Sequence, residues 1–287
     1  RSRGYDFASG PLDTVSRNIY DPQCAAYDKV WKVNRSDVEQ FKLFYNDPSY
    51  TIPNDILTWP GNGVATSRQA KFLAPFRDLN GNGLYEPLQG EYPDFDFEGT
   101  PYCDHQLLGD QSLWWVFNDK GKTHTLSGGT GMGLEVHGTA FAFHRGVPEL
   151  EEATFLRYKL INRSSQAWLN TYVGLHTHNR IGAPYDEYTG CDVGRSMVYV
   201  YNGHVIDGFQ NFPGYGARPP AIGMDFMQGP KADENDGRDN DRDFIVDEPG
   251  ERINMTMYRD VPSGPFFYEE AEVDPVFYWA MQGLWID

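Results

Sequence analysis

The chain has 287 residues, of which 40% are hydrophobic and 15% aromatic, so it can form one large or two ordinary folded domains and is not disordered. Its formal charge is -17, from 41 acidic and 24 basic residues, which argues against nucleic acid and anionic membranes as partners and suits divalent cations. No apolar run reaches the roughly 18 residues of a membrane-spanning helix, so we expect no membrane insertion.

The N-terminal portion begins with residues 1–22, which are rich in Gly, Pro, Asp and Ser and predict an irregular lead-in. Residues 36–39 (Ser-Asp-Val-Glu) have the pattern of a capping box, and Val38, Phe41 and Phe44 supply an apolar side, which predicts a short helix. A second short helix is predicted to start at Asn54 and to end before residues 60–61 (Pro-Gly).

An oxygen-rich loop follows at residues 78–94. Asp78, Asn80 and Asn82 stand at relative positions 1, 3 and 5, glycine is at position 6, and Leu84 at position 7 can offer a backbone carbonyl. This spacing predicts a Ca²⁺ loop, although no amphipathic helices flank it as in an EF-hand. Because position 12 is Gln89, another carboxylate must close the shell, and the candidates are Glu86, Glu91 and Asp94. The alternative is an ordinary Asn-Gly turn.

From residue 112 onward, short runs rich in aromatic and β-branched residues alternate with Gly, Asn, Asp and Ser clusters. Strands are predicted at 113–117, 134–143, 154–161, 167–176 and 197–201, with the third and fourth joined as a hairpin through residues 162–166. In the third strand, Leu156, Tyr158 and Leu160 are the expected core face.

These runs predict a mostly β fold, an antiparallel, jelly-roll-like β-sandwich with long ordered loops and one or two short helices. The glycine-rich residues 128–133 predict a hairpin loop, and residues 208–230, rich in Gly and Pro, predict a long ordered loop or linker. We expect a mixed N-terminal portion at 1–110 and a β-sandwich portion at 111–287, or one continuous domain.

A second acidic loop repeats the alternation of the first one. Asp239, Asp241 and Asp243 stand at positions 1, 3 and 5, Ile245 is at 7 and Asp247 is at 9. Glu248 adds a further carboxylate. Such an array repels itself unless a cation or solvent relieves it, which predicts a second Ca²⁺ loop. The alternatives are a solvated acidic loop and neutralisation by Arg238 and Arg242.

A third acidic stretch contains Asp186, Glu187 and Asp192 around an expected turn. A cation and an ordinary loop are equally compatible with it, since the spacing fits no standard coordination pattern.

His176 and His178 alternate on the predicted fourth strand and could form a zinc or iron site with His137 or a nearby carboxylate. The glutamate that normally follows in a cupin-like metal motif is missing. Hydrogen-bonded structural histidines are therefore the preferred interpretation.

Cys24, Cys103 and Cys191 lack the Cys-x-x-Cys spacing, which excludes a zinc knuckle or a thioredoxin-like motif. One disulfide with one free thiol, and three free thiols, both remain open.

The chain contains no Gly-x-Ser-x-Gly elbow, no Ser-x-x-Lys and no His-Glu-x-x-His, so no catalytic residues are assigned. Paired carboxylates for glycoside hydrolysis remain an alternative, because acidic residues flank the strands and tryptophans could stack on sugars. The residues concerned are Glu135, Glu149, Glu151, Glu152, Trp59, Trp114 and Trp115, and at least one of the last two is expected in the core because they point to opposite faces of a strand.

Segments spread over nearly the whole chain resemble large secreted or cell-surface proteins of Bacteroidota that carry a C-terminal sorting domain for type IX secretion. The segments are 4–12, 27–33, 74–83, 90–93, 109–111, 188–192 and 239–251. The resemblance implies export, a calcium-rich exterior and a surface role, and it implies no catalytic residues. The sorting domain is absent from these residues, so we expect a segment of a longer protein. Residues 13–15 (Asp-Thr-Val) also resemble an O-glycosylation signal of that phylum, centred on Thr14, or are a chance tripeptide.

The leading hypothesis is a calcium-stabilised extracellular or cell-surface module for structure, adhesion or surface assembly. Its expected cofactor is Ca²⁺, and its expected partners are other copies, other surface proteins or glycans. The alternatives are a carbohydrate-binding or carbohydrate-cleaving domain and a subunit that polymerises through segments beyond the ends of this chain.

Overall fold

The computed structural model describes residues 6–19, 21–96, 106–125, 127–169, 171–175, 177, 181–183, 187–209, 212–233, 235–256 and 258. The chain divides into two units, Arg1–Leu169 and Asn170–Asp287. Both units contain antiparallel strands joined by long loops, with short helices between some of them. This confirms the predicted mostly β, antiparallel, sandwich-like fold.

The first unit contains four short helices and seven strands among its described residues. The helices are α1 (Asp21–Ala26), α2 (Arg35–Phe44), α3 (Asn54–Leu57) and α4 (Pro148–Glu151). The strands are β1 (Ala8–Ser9), β2 (Trp31–Asn34), β3 (Phe76–Arg77), β4 (Tyr92–Pro93), β5 (Gln111–Asn118), β6 (Leu134–Ala142) and β7 (Phe155–Asn162).

The main sheet of this unit is organised around β5. On one edge β5 pairs with β6 along its whole length, from Gln111 opposite Ala142 to Asn118 opposite Glu135, and β6 pairs in turn with β7. The other edge of β5 holds both β1 and β2. The expected boundary between residues 110 and 111 therefore falls inside the first unit, because strands from both sides of it share one sheet.

The core lies between one face of this sheet and the helices α2 and α3. Alternate residues of β5 are buried, including Trp114, whose ring lies 5.6 Å from that of Trp31 on the neighbouring strand β2. Phe41 of α2 and Ile56 of α3 are fully buried in the same cluster. Burial of each such side chain contributes about 2 to 3 kcal/mol, so the two short helices are stabilised by packing more than by their own length.

Both predicted helices are present, but the prediction of a capping box at residues 36–39 is wrong. Helix α2 begins at Arg35, directly after β2, and Asn34 is its N-cap residue without a side-chain capping bond. The Arg35 amide donates instead to the Asp110 carbonyl (2.8 Å). The lead-in at residues 1–22 is also more ordered than expected, since it includes β1 and the start of α1, and Leu12 is fully buried.

The predicted strands at 113–117, 134–143, 154–161 and 197–201 correspond to β5, β6, β7 and β9 (Met197–Asn202). The glycine-rich residues 128–133 lie in the loop that joins antiparallel β5 and β6, as predicted. The described residues of the predicted strand at 167–176 are not in a strand, so the hairpin with β7 is wrong.

The predicted core face of β7 is also wrong. Leu156, Tyr158 and Leu160 are 53%, 45% and 43% exposed. The opposite face is the less exposed one, and on it Phe155 stacks on Phe141 of β6 at 5.1 Å. A period of two separates the faces of a strand, but it does not tell which face is buried when both carry long side chains.

The second unit contains a three-stranded sheet in the order β12-β9-β8, with β8 at Glu187–Asp192 and β12 at Ala221–Asp225. Strands β10 (Asp207–Phe209) and β11 (Phe212–Gly216) form a separate hairpin. The interpretation of residues 208–230 as a long loop is therefore wrong, because most of β10, and all of β11 and β12, lie within this range. No helix among the described residues combines the length and apolar character needed to cross a membrane.

Candidate metal centres

The first acidic loop connects the two strands of the β3–β4 hairpin. Arg77 pairs with Tyr92, Asp78 follows Arg77 directly, and Glu91 directly precedes Tyr92. The strand pairing therefore brings the first and last acidic residues of the loop to its base. The loop lies within the first unit.

The side chains at positions 1, 3 and 5 of this loop hold its backbone in a tight coil. Asp78 accepts hydrogen bonds from the amides of Gly81 (2.7 Å) and Gly83 (2.6 Å). Asn80 accepts from the Asn82 amide (2.9 Å), and Asn82 accepts from the Leu84 amide (2.6 Å). Gly81 and Gly83 have φ values of 74° and 72°, a region that glycine occupies without a steric cost.

The remaining predicted ligands of the first loop have distinct places. Glu86 accepts hydrogen bonds from the side-chain amides of Asn80 (3.2 Å) and Asn82 (2.6 Å), so these three side chains converge. Glu91 is fully buried, and its two carboxylate oxygens accept from the amides of Leu79 (3.2 Å) and Glu86 (2.8 Å). Glu91 thus ties the start of the loop to its end.

Asp94, the third candidate to close the shell, lies beyond β4. Its carboxylate is 4.0 Å from the Arg77 guanidinium. Burial raises the pKa of Asp94 above its usual range. The described contacts of its carboxylate are with Arg77 and with the Asp96 amide (3.0 Å), so the carboxylate is part of a local ion pair and not of the coil.

The second acidic loop has hydrogen bonds similar to those of the first, although its position 1 accepts from the amides at positions 5 and 6 and not from those at 4 and 6. Asp239 accepts from the amides of Asp243 (3.1 Å) and Phe244 (3.0 Å), Asp241 accepts from the Asp243 amide (3.3 Å), and Asp243 accepts from the Ile245 amide (2.8 Å). Positions 4 and 6, which are glycines in the first loop, are Arg242 and Phe244 here. They keep the same left-handed conformation, with φ values of 64° and 77°.

The base of the second loop is equivalent to that of the first on its C-terminal side. Lys231 pairs with Arg252, and the residue before Arg252 is Glu251, which is only 6% exposed. Glu251 accepts a hydrogen bond from the Asn240 amide, the second residue of the loop, as Glu91 does from Leu79.

Sequence reasoning missed Glu251, although a signal was present. Both loops end in a Gly-Glu pair, at residues 90–91 and 250–251, and both glycines have positive φ values, 95° and 92°. The pair turns the chain so that the glutamate points back into the loop.

The second loop brings carboxylates together in two groups. Asp239, Asp241 and Asp243 each place a ligand oxygen within 4.8 Å of the others, and so do Asp241, Glu248 and Glu251. A Ca²⁺ ion with ligand oxygens at about 2.4 Å keeps those oxygens within about 4.8 Å of one another. The two groups share Asp241, and all the donor atoms are hard oxygens, which suit Ca²⁺ better than a soft or borderline metal. Elsewhere in the described residues, including the first loop, the structure forms no further group of this kind.

The carboxylates of this loop have no ion-pair partner among the described residues. Arg242 donates to the carbonyls of Val193 and Met255 (both 2.7 Å), and no ion pair joins Arg238 or Arg242 to the loop carboxylates in the described part of the chain. A hydrogen bond from its own amide lowers the pKa of Glu248, but burial and the charges of Glu251, Asp241 and Asp243 raise it overall. One oxygen of Glu248 is enclosed and has no hydrogen-bond partner. A bound cation would satisfy this oxygen and relieve the repulsion.

A route for an ion to reach this loop is present. A cleft of about 310 Å³ is lined by Lys231, Asp233, Glu248 and Glu251, among others.

The residues at positions 7 and 9 of the second loop lie outside the two carboxylate groups. Ile245 is 55% exposed, and the Asp247 carboxylate accepts from the Gly237 amide at 3.1 Å.

The third predicted stretch is not a turn. Residues 187–192 form strand β8, and Glu187 and Asp192 stand at its two ends, about 17 Å apart along the strand. Glu187 accepts from the Ile181 amide (2.9 Å), and Asp192 caps the turn after β8 and pairs with Arg195 (2.8 Å). The structure therefore does not bring these two carboxylates to one ion, and Asp186 lies outside the described residues.

His137 is a structural histidine, as preferred from the sequence. Its ring is buried against Trp114 at 5.4 Å and contacts the Glu135 carboxylate at 2.9 Å. Glu135 is fully buried and also accepts from the Arg163 guanidinium (2.7 Å) and from the Leu12 amide (2.8 Å). His176 and His178 lie outside the described residues.

The other residues singled out from the sequence have ordinary structural roles. Trp59 and Trp114 are buried in the core and do not form a sugar platform. Cys24 is half-buried, Cys191 is a free thiol, and Cys103 lies outside the described residues. Thr14 lies on the surface, where its hydroxyl donates to the Arg68 carbonyl (2.9 Å).

Comparisons with known proteins add no relative to this geometry. No protein-family model matches the chain, no curated protein matches it, and no solved structure matches its fold. The functional conclusion therefore depends on the two loops themselves.

Proposed function

We propose that the chain is a calcium-stabilised extracellular module with a structural, adhesive or surface-assembly role. The observation that carries the proposal is that one loop brings carboxylates together in two overlapping groups with no ion pair to them among the described residues. The groups are Asp239, Asp241 and Asp243, and Asp241, Glu248 and Glu251. The ion would supply rigidity and charge compensation, not a reactive group, because the surrounding side chains are hydrogen-bonded to the loop backbone.

The first loop supports the same proposal, although its residues differ from those of the second loop. It has the same turns, with Asn80 and Asn82 in place of two aspartates, so it holds less negative charge around the coil. Affinity for Ca²⁺ depends on the number of charged ligands. We therefore assign the tighter site to the second loop and a weaker site, with Asp78, Asn80, Asn82 and Glu86 as side-chain ligands, to the first.

An extracellular location fits this assignment. Weak to moderate loop sites are occupied where free Ca²⁺ reaches about millimolar concentration, as it does outside cells. The net charge of -17 is then reduced by bound cations. The resemblance to secreted Bacteroidota proteins supports the same location.

Carbohydrate cleavage is not favoured by the acidic residues first considered for it. Glu135 is buried and ion-paired with Arg163, so it does not reach a substrate. Glu151 is held by His144 (3.0 Å) and by the Gly146 amide (2.8 Å) beside α4. Sugar binding without cleavage needs an exposed aromatic surface, and the sheet of the second unit carries exposed tyrosines.

Isothermal titration calorimetry of chelator-treated protein tests the metal proposal. We expect Ca²⁺ to bind with at least one resolved site and to raise the melting temperature, since a ligand that binds only the folded state stabilises it. Mg²⁺ at the same concentration should bind more weakly, because it holds its water and rarely accepts so many carboxylates. No heat of binding and no change in melting temperature with chelator would overturn the proposal.

A further inference from the structure

Three tyrosines of the second unit's sheet lie on one face, two of them exposed and the third, Tyr199, half-buried. In the β8–β9 pair Tyr188 is opposite Tyr201, and Tyr199 is two residues before Tyr201 on the same strand, so all three side chains leave the same face. Tyr188 is 55% exposed and Tyr201 is 42% exposed. The ring centroids are 6.0 Å apart for Tyr188 and Tyr201 and 6.1 Å apart for Tyr199 and Tyr201. These residues form one continuous aromatic surface, which we call the tyrosine face.

A shelf of small residues runs beside the tyrosine face on strand β12. Ala221 pairs with Tyr201 and Gly223 pairs with Tyr199, so both lie on the same face as the rings. Among the described residues, a side chain at Gly223 would meet only the Met197 sulfur, at 3.9 Å, so they leave the space above it open. Tyr199 and Tyr201 project from the neighbouring strand β9, and the end of the Tyr199 ring lies over Gly190 of β8.

The polar groups on this face are acidic. The register places Asp225 of β12 and Asp192 of β8 opposite Met197, at one end of the shelf. Asp192 is paired with Arg195, whereas Asp225 is exposed. A carboxylate accepts hydrogen bonds from hydroxyl groups and repels anions. With the chain at -17 overall, this face suits a neutral ligand that donates hydrogen bonds.

We propose that the tyrosine face and the shelf over Ala221 and Gly223 bind a neutral hexopyranose glycan. Sugar rings with equatorial hydroxyls present an apolar C–H face that packs on an aromatic ring, and their hydroxyls donate to carboxylates. The two tilted rings of Tyr199 and Tyr201 are separated by 6.1 Å, close to the length of one sugar unit, so consecutive units of a glycan would contact consecutive rings. Asp225 would accept from a hydroxyl at the end of the shelf.

The second acidic loop reaches the same end of this sheet as Asp192 and Asp225. Arg242 donates to the Val193 carbonyl, and Met255 donates its amide to the Ser196 hydroxyl (3.2 Å), both in the turn between β8 and β9. The glycan assignment names the ligand class of the proposed adhesive role and in that sense rests on it. The rings do not depend on the carboxylates of the loop, so the two proposals can fail separately.

The test is calorimetric titration of the 287-residue chain with cellohexaose, mannohexaose and laminarihexaose, in the presence of Ca²⁺. An anionic hexagalacturonate serves as the charge control. We expect binding of at least one neutral hexasaccharide and none of the hexagalacturonate. Tyr201→Ala should weaken binding by about tenfold or more, as expected for loss of a central aromatic contact.

Two further variants distinguish a loss of glycan binding at the shelf from a loss of stability or of any exposed tyrosine. Gly223→Leu fills the open space without removing a ring, and it should abolish binding while the melting temperature stays near that of the wild type. Tyr215→Ala removes a tyrosine that is 62% exposed on β11, away from the tyrosine face, and it should leave binding unchanged.

The proposal is overturned if no neutral hexasaccharide binds, if Gly223→Leu binds as the wild type does, or if the anionic glycan binds best. Self-association that is lost in Tyr201→Ala would also overturn it, because the face would then be a contact between protein chains. A chain that binds Ca²⁺ but no glycan contradicts only this proposal, whereas binding of a glycan without any binding of Ca²⁺ contradicts only the metal proposal.

Discussion

Glu91 and Glu251 occupy equivalent positions in two loops that belong to different units of the chain. Each is buried, each follows a glycine with positive φ, and each accepts a hydrogen bond from the second amide of its loop. Each also directly precedes a residue that is paired across the base of the loop, Tyr92 in one case and Arg252 in the other. A buried carboxylate in this position holds the start of the coil close to its end.

Glu91→Ala is therefore expected to destabilise the first unit even without metal. The substitution leaves the Leu79 and Glu86 amides without their acceptor, and two lost charge-assisted hydrogen bonds cost about 3 kcal/mol. Urea unfolding in the presence of chelator measures this cost. Leu88→Ala, at a position that is 78% exposed in the same loop, is the control and should change the midpoint little. An unchanged midpoint in Glu91→Ala would contradict the proposed role.

Asp78→Ala should lower the free energy of unfolding rather than remove an activity. Its carboxylate orders the coil through the amides of Gly81 and Gly83, and its loss is expected to cost about 2 kcal/mol in the absence of metal. With Ca²⁺ the difference from the wild type should increase, because the variant also loses a charged ligand. Thermal unfolding of both proteins with chelator and with Ca²⁺ gives the two differences. A variant that gains as much from Ca²⁺ as the wild type would show that Asp78 is not a ligand.

Asp241→Asn and Asp247→Asn should behave differently, although spacing alone marks both as ligands. Asp241 belongs to both carboxylate groups of the second loop, so its substitution should lower the Ca²⁺ affinity by at least about tenfold. Asp247 accepts from the Gly237 amide outside these groups, and its substitution should change the affinity little. Calorimetric titration compares them, and a larger loss of affinity in Asp247→Asn would contradict the assignment of the ligands.

Phe244→Gly is expected to stabilise the protein. Phe244 stands at the position of Gly83 in the first loop, has a φ of 77° and is 96% exposed, so the side chain contributes strain and little packing. Relief of the left-handed strain should raise the unfolding free energy by about 1 kcal/mol. Val246→Gly, two residues later and without positive φ, is the matched control and should not stabilise. Chemical denaturation at fixed Ca²⁺ concentration measures both.

The buried Glu135 predicts an acid-sensitive contribution to stability. Burial raises its pKa, but the hydrogen bonds from His137 and Arg163 and their charges outweigh burial and hold the pKa at about 2, below its ordinary value of 4.5. A lowered folded-state pKa means that the stabilisation is complete above about pH 4.5 and is lost as the pH falls towards about 2. The contribution at neutral pH is about 3 kcal/mol.

Unfolding free energies of the wild type and of Glu135→Gln across this range test the prediction. The difference between the two proteins should be largest near pH 7 and should narrow between about pH 4.5 and about 2. A difference that stays constant with pH would contradict the ion-paired state of Glu135.

The local pattern of the sequence determined the parts of this protein that short-range contacts form. The coil of each acidic loop follows from hydrogen bonds between a side chain and an amide two to five residues later, so alternating Asp and Asn residues predict it directly. The strand from Leu134 and the helix around Phe41 follow in the same way from β-branched and apolar periodicity.

Only the tertiary structure decided which residues complete the sites and which faces are buried. Glu251 is part of the carboxylate group because Lys231 pairs with Arg252, a contact between residues far apart in the chain. Glu187 and Asp192 are separated because β9 pairs with their segment and extends it into a strand. Leu156 is exposed because its strand packs through the opposite face. Pairing between distant strands depends on the whole core, and no local spacing carries that information.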